Sequence, residues 1–328
     1  MSYIPVALEK ILELAPVSAN RFITTSLPAA PIGGKGTFGG TLVGQSLLAA
    51  FYTVPDDFSP VSLHSYFISG GNPSVMIQYH VQDLRHGKNF MHKQVKGYQH
   101  EKLIFTSIIL FSKKRLHDSL HHLKTIDADS MPSLTKFEPA DKLFKDKIVS
   151  NAKIYEKASQ RFQDVSNLNK SLMNFKHGPV EYRFPKSIFY SKEAKDKLGY
   201  YVKCREKINK HFSREQFDKI TPENDPRYAY IALAYISDAY FLLTLPSFHA
   251  LPLFSHKFSV SLDHSIHFHQ IPNISDFTYF EISNISSRSD KHLMVGEYYN
   301  AKTKEIVASV SQEGYVIYDD EETIRSKF

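Results

Sequence analysis

Asp238 lies inside the run Tyr230-Ile231-Ala232-Leu233-Ala234-Tyr235-Ile236-Ser237-Asp238-Ala239-Tyr240-Phe241-Leu242-Leu243, where every neighbour except Ser237 is apolar or aromatic. Burial disfavours the charged form of a carboxyl group, so a lone aspartate on such a helix needs polar partners or water. Either it has such partners or lines a cleft where it could act, or it caps a neighbouring loop or reaches solvent through a gap. Gly39 and Gly40 open a second apolar segment. Backbone N–H groups at a helix start can receive the negative charge of a developing oxyanion, whereas the plainer use of a glycine pair is a tight turn or close helix packing. His267 and His269 alternate along one strand face and have zinc-ligand chemistry, with His264 close by. Cys204 is the single cysteine, which excludes an intramolecular disulfide and a cysteine-based metal site and reads as a small buried apolar residue.

The elements that must hold these residues come in two similar sets. Thr41 to Val54 reads as a helix apolar almost all round, through Leu42, Val43, Leu47, Leu48 and Phe51, and such a helix must be buried. Strands follow at Val61 to Ile68, Val75 to Asp83, Phe90 to Tyr98 and Leu103 to Phe111. Turn signals separate them at Gly70-Gly71-Asn72, His86-Gly87-Lys88 and His100-Glu101-Lys102. Asp225-Pro226 starts a second apolar helix, read through Leu245. Strands are then expected at Lys257 to His269, Phe277 to Ser286, His292 to Asn300 and Ile306 to Ile317.

A helix followed by an antiparallel meander, twice, is the plan of an α+β duplication. His64-Ser65 and His264-Ser265 stand at an offset of 200, and Phe105-Thr106-Ser107-Ile108 parallels Val307-Ala308-Ser309-Val310 at 202. At the second offset Leu110 is the counterpart of Gln312. The chain accordingly divides into an N-terminal domain over 1–115, a charged linker or insertion over 116–179 and a C-terminal domain over 180–328. The insertion, with a charged helix expected over Pro139 to Gln163, offers few apolar residues to bury.

Several motifs together resemble the type II acyl-CoA thioesterases, the family of bacterial TesB and of the peroxisomal enzymes of eukaryotes. In the first half they are Phe38-Gly39-Gly40-Thr41-Leu42-Val43-Gly44-Gln45-Ser46-Leu47, Leu63-His64-Ser65-Tyr66-Phe67 and Leu84-Arg85-His86-Gly87-Lys88-Asn89-Phe90. In the second half they are Ala234-Tyr235-Ile236-Ser237-Asp238, Ser261-Leu262-Asp263-His264-Ser265-Ile266-His267-Phe268-His269 and Ala308-Ser309-Val310-Ser311-Gln312-Glu313-Gly314. The resemblance implies a double hotdog, two antiparallel sheets each wrapped around a long buried helix, and hydrolysis of acyl-CoA to free acid and CoA. It places the three residues that hold the attacking water on Asp238, Ser261 and Gln312. No serine nucleophile is implied, since Gly-x-Ser-x-Gly is absent. It makes Gly39, Gly40, Gln45 and His64 candidates for binding substrate, and it implies no metal and no cofactor, which sets aside zinc at the histidines. One set per chain is expected, in the second half, with the first half shaping the acyl or CoA pocket. The sequence departs from the family at Ser69-Gly70-Gly71, at His92-Lys93-Gln94 and at His267, which bears on phosphate contacts and acyl preference. The alternative is a non-catalytic acyl-CoA binding or scaffold protein; the Asp-x-Asn-Pro-x-His element of hotdog hydratases is absent.

Composition fits these readings. At 42% apolar and 23% charged residues the chain can build a core, and no run approaches the ~20 apolar residues of a membrane span. The formal charge of +6 suits a polyanion such as CoA. The lysines are scattered and the one compact cluster, Lys113-Lys114-Arg115, lacks neighbouring stacking aromatics, so nucleic acid is not expected. Met1 to Lys10 has no secretory leader pattern. Ser326-Lys327-Phe328 has the form of the tripeptide read by the peroxisomal import receptor, which gives the peroxisomal matrix as the expected location. Long sheet edges, which hotdogs bury by pairing, lead to an expected homodimer or higher homo-oligomer.

Overall fold

The computed structural model describes residues 6–31, 34–113, 120–127, 129–151, 165–189, 191–215, 218–320 and 322–324. Ser326, Lys327 and Phe328 therefore lie outside the described residues. The first half opens with α1 (Leu8–Leu12), β1 (Leu14–Ser18) and β2 (Arg21–Thr24), then α2 (Gly39–Phe51). A meander follows: β3 (Phe58–Phe67), β4 (Gln78–His86), β5 (Phe90–Gln99) and β6 (Lys102–Lys113). The intervening segment carries β7 (Glu138–Pro139), α3 (Ala140–Lys147) and α4 (Val165–His177). The second half comprises β8 (Val180–Phe184), β9 (Leu198–Cys204), α5 (Tyr228–Ser237), β10 (Phe258–Ser261), β11 (Asp263–Phe268), β12 (Thr278–Arg288), β13 (Lys291–Asn300) and β14 (Ile306–Ile317).

All strands join one antiparallel sheet in the order β1-β2-β4-β5-β6-β3-β11-β14-β13-β12-β9-β8-β7, with β10 also on β14. The order mirrors itself about the β3–β11 pair, so two like halves meet edge to edge inside one chain. The pairing closes the long edges of both meanders; the sheet ends instead on the short β1 and β7. Every residue of α2 after Gly39 is buried, as is nearly all of α5, because the two helices lie side by side against the sheet's inner face. They run antiparallel: Gly40 meets Tyr235 of α5, and Phe51 at the far end of α2 meets Arg227 just before α5.

The repeat needs one correction. In the β3–β11 register Ser65 pairs with His264 and His64 with Ser265, so the two His-Ser dipeptides face each other across the joint. Ser65 and His264 are buried on the helix side, whereas His64 is exposed on the other. Equivalent strands must show the same face to their helices, which requires an odd offset. The inward residues of β6 are Phe105, Ser107, Ile109 and Phe111; those of β14 are Ala308, Val310, Gln312 and Gly314. Leu110 lies on the outer face and is not the counterpart of Gln312. None of the inward β6 residues is a glutamine.

The intervening segment is also better packed than its composition implies. Leu143, Phe144 and Ile148, with Leu168 and Phe175 of α4, join the main core, and Phe144 lies 5.3 Å from Phe175 between ring centres. Helical spacing gathers a few apolar residues on one side of α3 and leaves its lysines outside. The expected helix over 139–163 is seen as α3; residues 152–164 lie outside the described residues. Among the described residues no single helix is long and apolar enough to cross a membrane; α5 and the 3-10 segment Leu242–Phe248 reach that length only as a pair bent by 47°.

Candidate active site

Helix α5 stops short of the expected Leu245. It ends at Ser237, Asp238 is its C-cap, and Tyr240 two residues on has φ 60°, the left-handed region that breaks a right-handed helix. Asp238 thus leaves the helix just where its side chain is no longer enclosed by α5, and it keeps partial exposure. The negative end of its own helix lies behind it, and the N-terminus of α2 approaches from the front. The glycine pair makes this approach feasible: a Cβ at Gly39 would stand 2.7 Å from Asp238 Oδ2, and one at Gly40 would stand 2.3 Å from the Tyr235 carbonyl oxygen. The Gly40 N–H faces the Asp238 carboxylate and favours its charged form.

Two further side chains come from the sheet. The segment expected as a single strand over 257–269 is broken at Leu262 into β10 and β11, both paired with β14. At the break the Asp263 carboxylate accepts the Glu313 N–H at 2.8 Å, and the local bend of the kind bulges produce brings Ser261 beside Gln312. Gln312 Nε2 donates to Asp238 Oδ1 at 3.0 Å and to Ser261 Oγ at 2.7 Å; Ser261 Oγ lies 3.5 Å from the same carboxylate oxygen. Desolvation pushes the Asp238 carboxyl up to about 6, against the pull of its hydrogen bonds from Gln312, Gly40 and Ser261. A carboxylate of that basicity, with neutral donors and an open side, can take a proton from water near neutral pH.

The other expected substrate-binding residues sit elsewhere. Gln45 is buried and both ends of its amide are used structurally: Nε2 donates to the Ile11 carbonyl at 3.0 Å, and Oε1 accepts from the Tyr79 hydroxyl at 2.9 Å. His64 lies on the outer face of the sheet, its Nδ1 3.1 Å from Ser265 Oγ and its ring edge-on to His267 at 5.3 Å. Lys93 is buried, with Nζ on the Asp83 carboxylate and on the Thr53 carbonyl. His269 Nε2 lies 2.8 Å from Ser309 Oγ. Among the described residues no group of three or more His, Cys, Asp or Glu stands close enough to hold a metal ion. Cys204 is buried, which pushes its thiol up to about 12.

One residue of the site was missed as such. His264, fully buried on β11, has Nδ1 2.8 Å from Gln312 Oε1 and Nε2 2.8 Å from Ser237 Oγ. A histidine three and five positions from two others reads as a strand residue or a ligand, and its true neighbours are 27 and 48 positions away.

The profile described as acyl-CoA thioesterase matches residues 203–315, and the one described as acyl-CoA thioesterase N-terminal domain matches 26–112. The chain is 52% identical to the peroxisomal acyl-coenzyme A thioester hydrolase 1 of Saccharomyces cerevisiae, over 98% of this chain and 97% of that protein. The chain belongs to the acyl-CoA thioesterase family. Its fold is that of the acyl-CoA thioesterase II TesB2 of Mycobacterium marinum, with a TM-score of 0.68 at 22% identity over 96% of this chain and 99% of that one. A conserved protein of Alicyclobacillus acidocaldarius described as having a hot dog fold superimposes with a TM-score of 0.66 at 13% identity, over 96% of this chain and all of that one. Each half of this family member is thus a hotdog, and Asp238, Ser261 and Gln312 come from the second, with Gly39 and Gly40 of the first closing over them.

Proposed function

We propose that the protein hydrolyses fatty acyl-CoA to the free acid and CoA by direct attack of a water held among Asp238, Ser261 and Gln312. The observation that carries this reading is the convergence of a carboxylate, a hydroxyl and an amide from three separate elements on one partly open point. Gln312 spends its NH2 on Asp238 and Ser261, and the serine proton faces the same carboxylate oxygen, which leaves the second carboxylate oxygen and a serine lone pair to orient the water. Asp238 takes a water proton as oxygen attacks the thioester carbonyl. Negative charge gathers on the carbonyl oxygen in the positive field at the N-terminus of α2. The C–S bond then breaks, the acid forms, and the CoA thiolate recovers the proton from Asp238. Peroxisomal residence belongs to the same reading, supported by the name of the yeast relative.

The test uses purified protein, palmitoyl-CoA and a reagent that colours with free thiol. Ser261→Ala and Gln312→Ala should each lower kcat by about 10²-fold with little change in KM, as expected for groups that position the nucleophile. Wild-type turnover in both variants would overturn the assignment, and substrate binding without any thiol release by the wild type would identify a binding protein instead. For location, a fluorescent protein fused to the N-terminus should enter peroxisomes and should lose them on deletion of Ser326–Phe328; unchanged import would remove that tripeptide from the reading.

A further inference from the structure

We infer that His264 is a positioning residue for this reaction, holding the Gln312 amide in the one orientation that serves Asp238 and Ser261. The inference rests on the proposed hydrolysis. It begins with the amide itself: a carboxylate can only accept, so the end of Gln312 facing Asp238 must be nitrogen and the end facing His264 must be oxygen. The carbonyl oxygen likewise only accepts, so His264 Nδ1 carries the ring proton and donates at 2.8 Å. Nε2 is then an acceptor for the Ser237 hydroxyl, 2.8 Å away, whose single proton is shared with the Ala234 carbonyl at 2.9 Å. Ser237 immediately precedes Asp238, so the relay returns to the end of the same helix: Ser237 to His264, His264 to Gln312, Gln312 to Asp238 and Ser261.

The residue is held at its backbone and at the ring edge too. The Ser65 hydroxyl, from the first half, donates to the His264 carbonyl at 2.8 Å, and Phe241 meets the imidazole edge-on at 6.3 Å. Burial keeps the imidazole neutral by pushing its pKa down to about 4, so one nitrogen donates and the other accepts throughout the physiological range. A flipped Gln312 would turn its carbonyl oxygen toward the Asp238 carboxylate and leave the Nδ1 proton facing NH2. Other titratable groups around the site include Tyr200 of β9, whose hydroxyl donates to the Ala239 carbonyl at 3.1 Å, Tyr298 of β13, whose hydroxyl is pushed well above its usual range by burial and in smaller part by Tyr182 and Asp238, and Asp263, which is engaged with the Glu313 N–H.

The test compares His264→Ala, His264→Asn and His264→Gln in thioester hydrolysis across pH, beside Asp238→Asn. The asparagine amide nitrogen falls near the place of Nδ1 and the glutamine amide nitrogen near that of Nε2, so only the former donates to Gln312. His264→Ala and His264→Gln should lose about 10²-fold in kcat, the scale of a misplaced catalytic group, at nearly unchanged KM. Their acid limb should also move to higher pH, because Asp238 loses a firmly held donor. His264→Asn should recover most of the activity and the original limb. Equal activity of the Asn and Gln variants, or wild-type kcat in the Ala or Gln variant, would overturn the inference; if His264→Ala does not fold, the Asn and Gln pair decides alone. An active Asp238→Asn would instead sink the hydrolytic assignment, so the two failures are told apart.

Discussion

The antiparallel pair α2 and α5 has two ends, and each carries a buried or half-buried carboxylate, but the partners differ. At one end Asp238 meets only neutral groups: an amide, a hydroxyl and a backbone N–H. At the other, Asp225 is fully buried and is gripped by Arg227 at 2.6 Å and Arg214 at 3.4 Å, while Asp56 bonds Arg227 at 2.7 Å and also pairs with Arg214. The Arg227 guanidinium lies 5.1 Å over the Phe51 ring and shuts that end of the helix pair. Charge compensation there makes a lock. Withholding a cation at the first end leaves a carboxyl pushed up to about 6, which is what a base for water requires.

The sharpest way to break this comparison is to remove one charge at each end. Asp238→Asn should lower kcat by about 10³-fold or more, since no other group stands ready to accept the water proton. Asp225→Asn should do the reverse. It strands two buried guanidiniums with one exposed aspartate, which costs about 3–5 kcal/mol of stability, and it should leave kcat per folded molecule unchanged. Urea unfolding and thiol release on the same preparations read both quantities. Equal effects of the two substitutions on turnover would erase the distinction between the ends.

A smaller effect is expected from the backbone that brings the helices together. Gly40→Ala would set its methyl group 2.3 Å from the Tyr235 carbonyl, a backbone atom that cannot swing aside. The helices must separate at the Asp238 end, costing about 1–3 kcal/mol. The Gly40 N–H would withdraw from the carboxylate at the same time. Activity should fall more than a stability loss of that size accounts for, whereas Ala49→Gly, buried on the same helix away from the site, should cost stability alone. Thermal melts paired with kcat separate the two.

What the sequence made legible follows from how local each signal is. Asp238 stood out because burial and ionisation conflict within one helical run. The strands of both meanders were legible as runs rich in β-branched and aromatic residues, framed in the first half by turn signals, and β14 was read at its observed limits. The outer strands β1, β2, β7, β8 and β9 were not, because they are short or lack the turn signals that frame the others. Ser261 and Gln312 carry no local mark of function; the family resemblance located them, and only the break at Leu262 explains how they meet. His264 escaped because its role depends on partners in α5 and β14. The even offset misled because residue matching along a strand ignores which face a side chain takes.

The pH response of stability offers the finest test of the two ends. The folded-state Asp238 carboxyl is raised from 3.8 to about 6, so between these values the folded protein holds a proton that the unfolded chain releases. Stability from this group is therefore present below about pH 4 and falls as pH rises through the window. Above pH 6 the full cost is about 3 kcal/mol, from about 1.4 kcal/mol per pKa unit. Asp238→Asn removes the charge that burial penalises, at the cost of turning one donor of the amide toward another donor, worth about 1 kcal/mol. The variant should thus be more stable than the wild type by about 2 kcal/mol at pH 7.5, and the gain should vanish by pH 4. His264 acts in the same direction on both proteins: its depressed pKa makes each lose stability as pH falls from 6.5 toward 4, so it cancels in the difference. In the wild type kcat/KM should fall tenfold per pH unit below about 6, as the same carboxyl takes up its proton. A variant less stable than the wild type at pH 7.5, or an acid limb near 4, would mean that Asp238 has found a cation after all and that the two ends of the helix pair are alike.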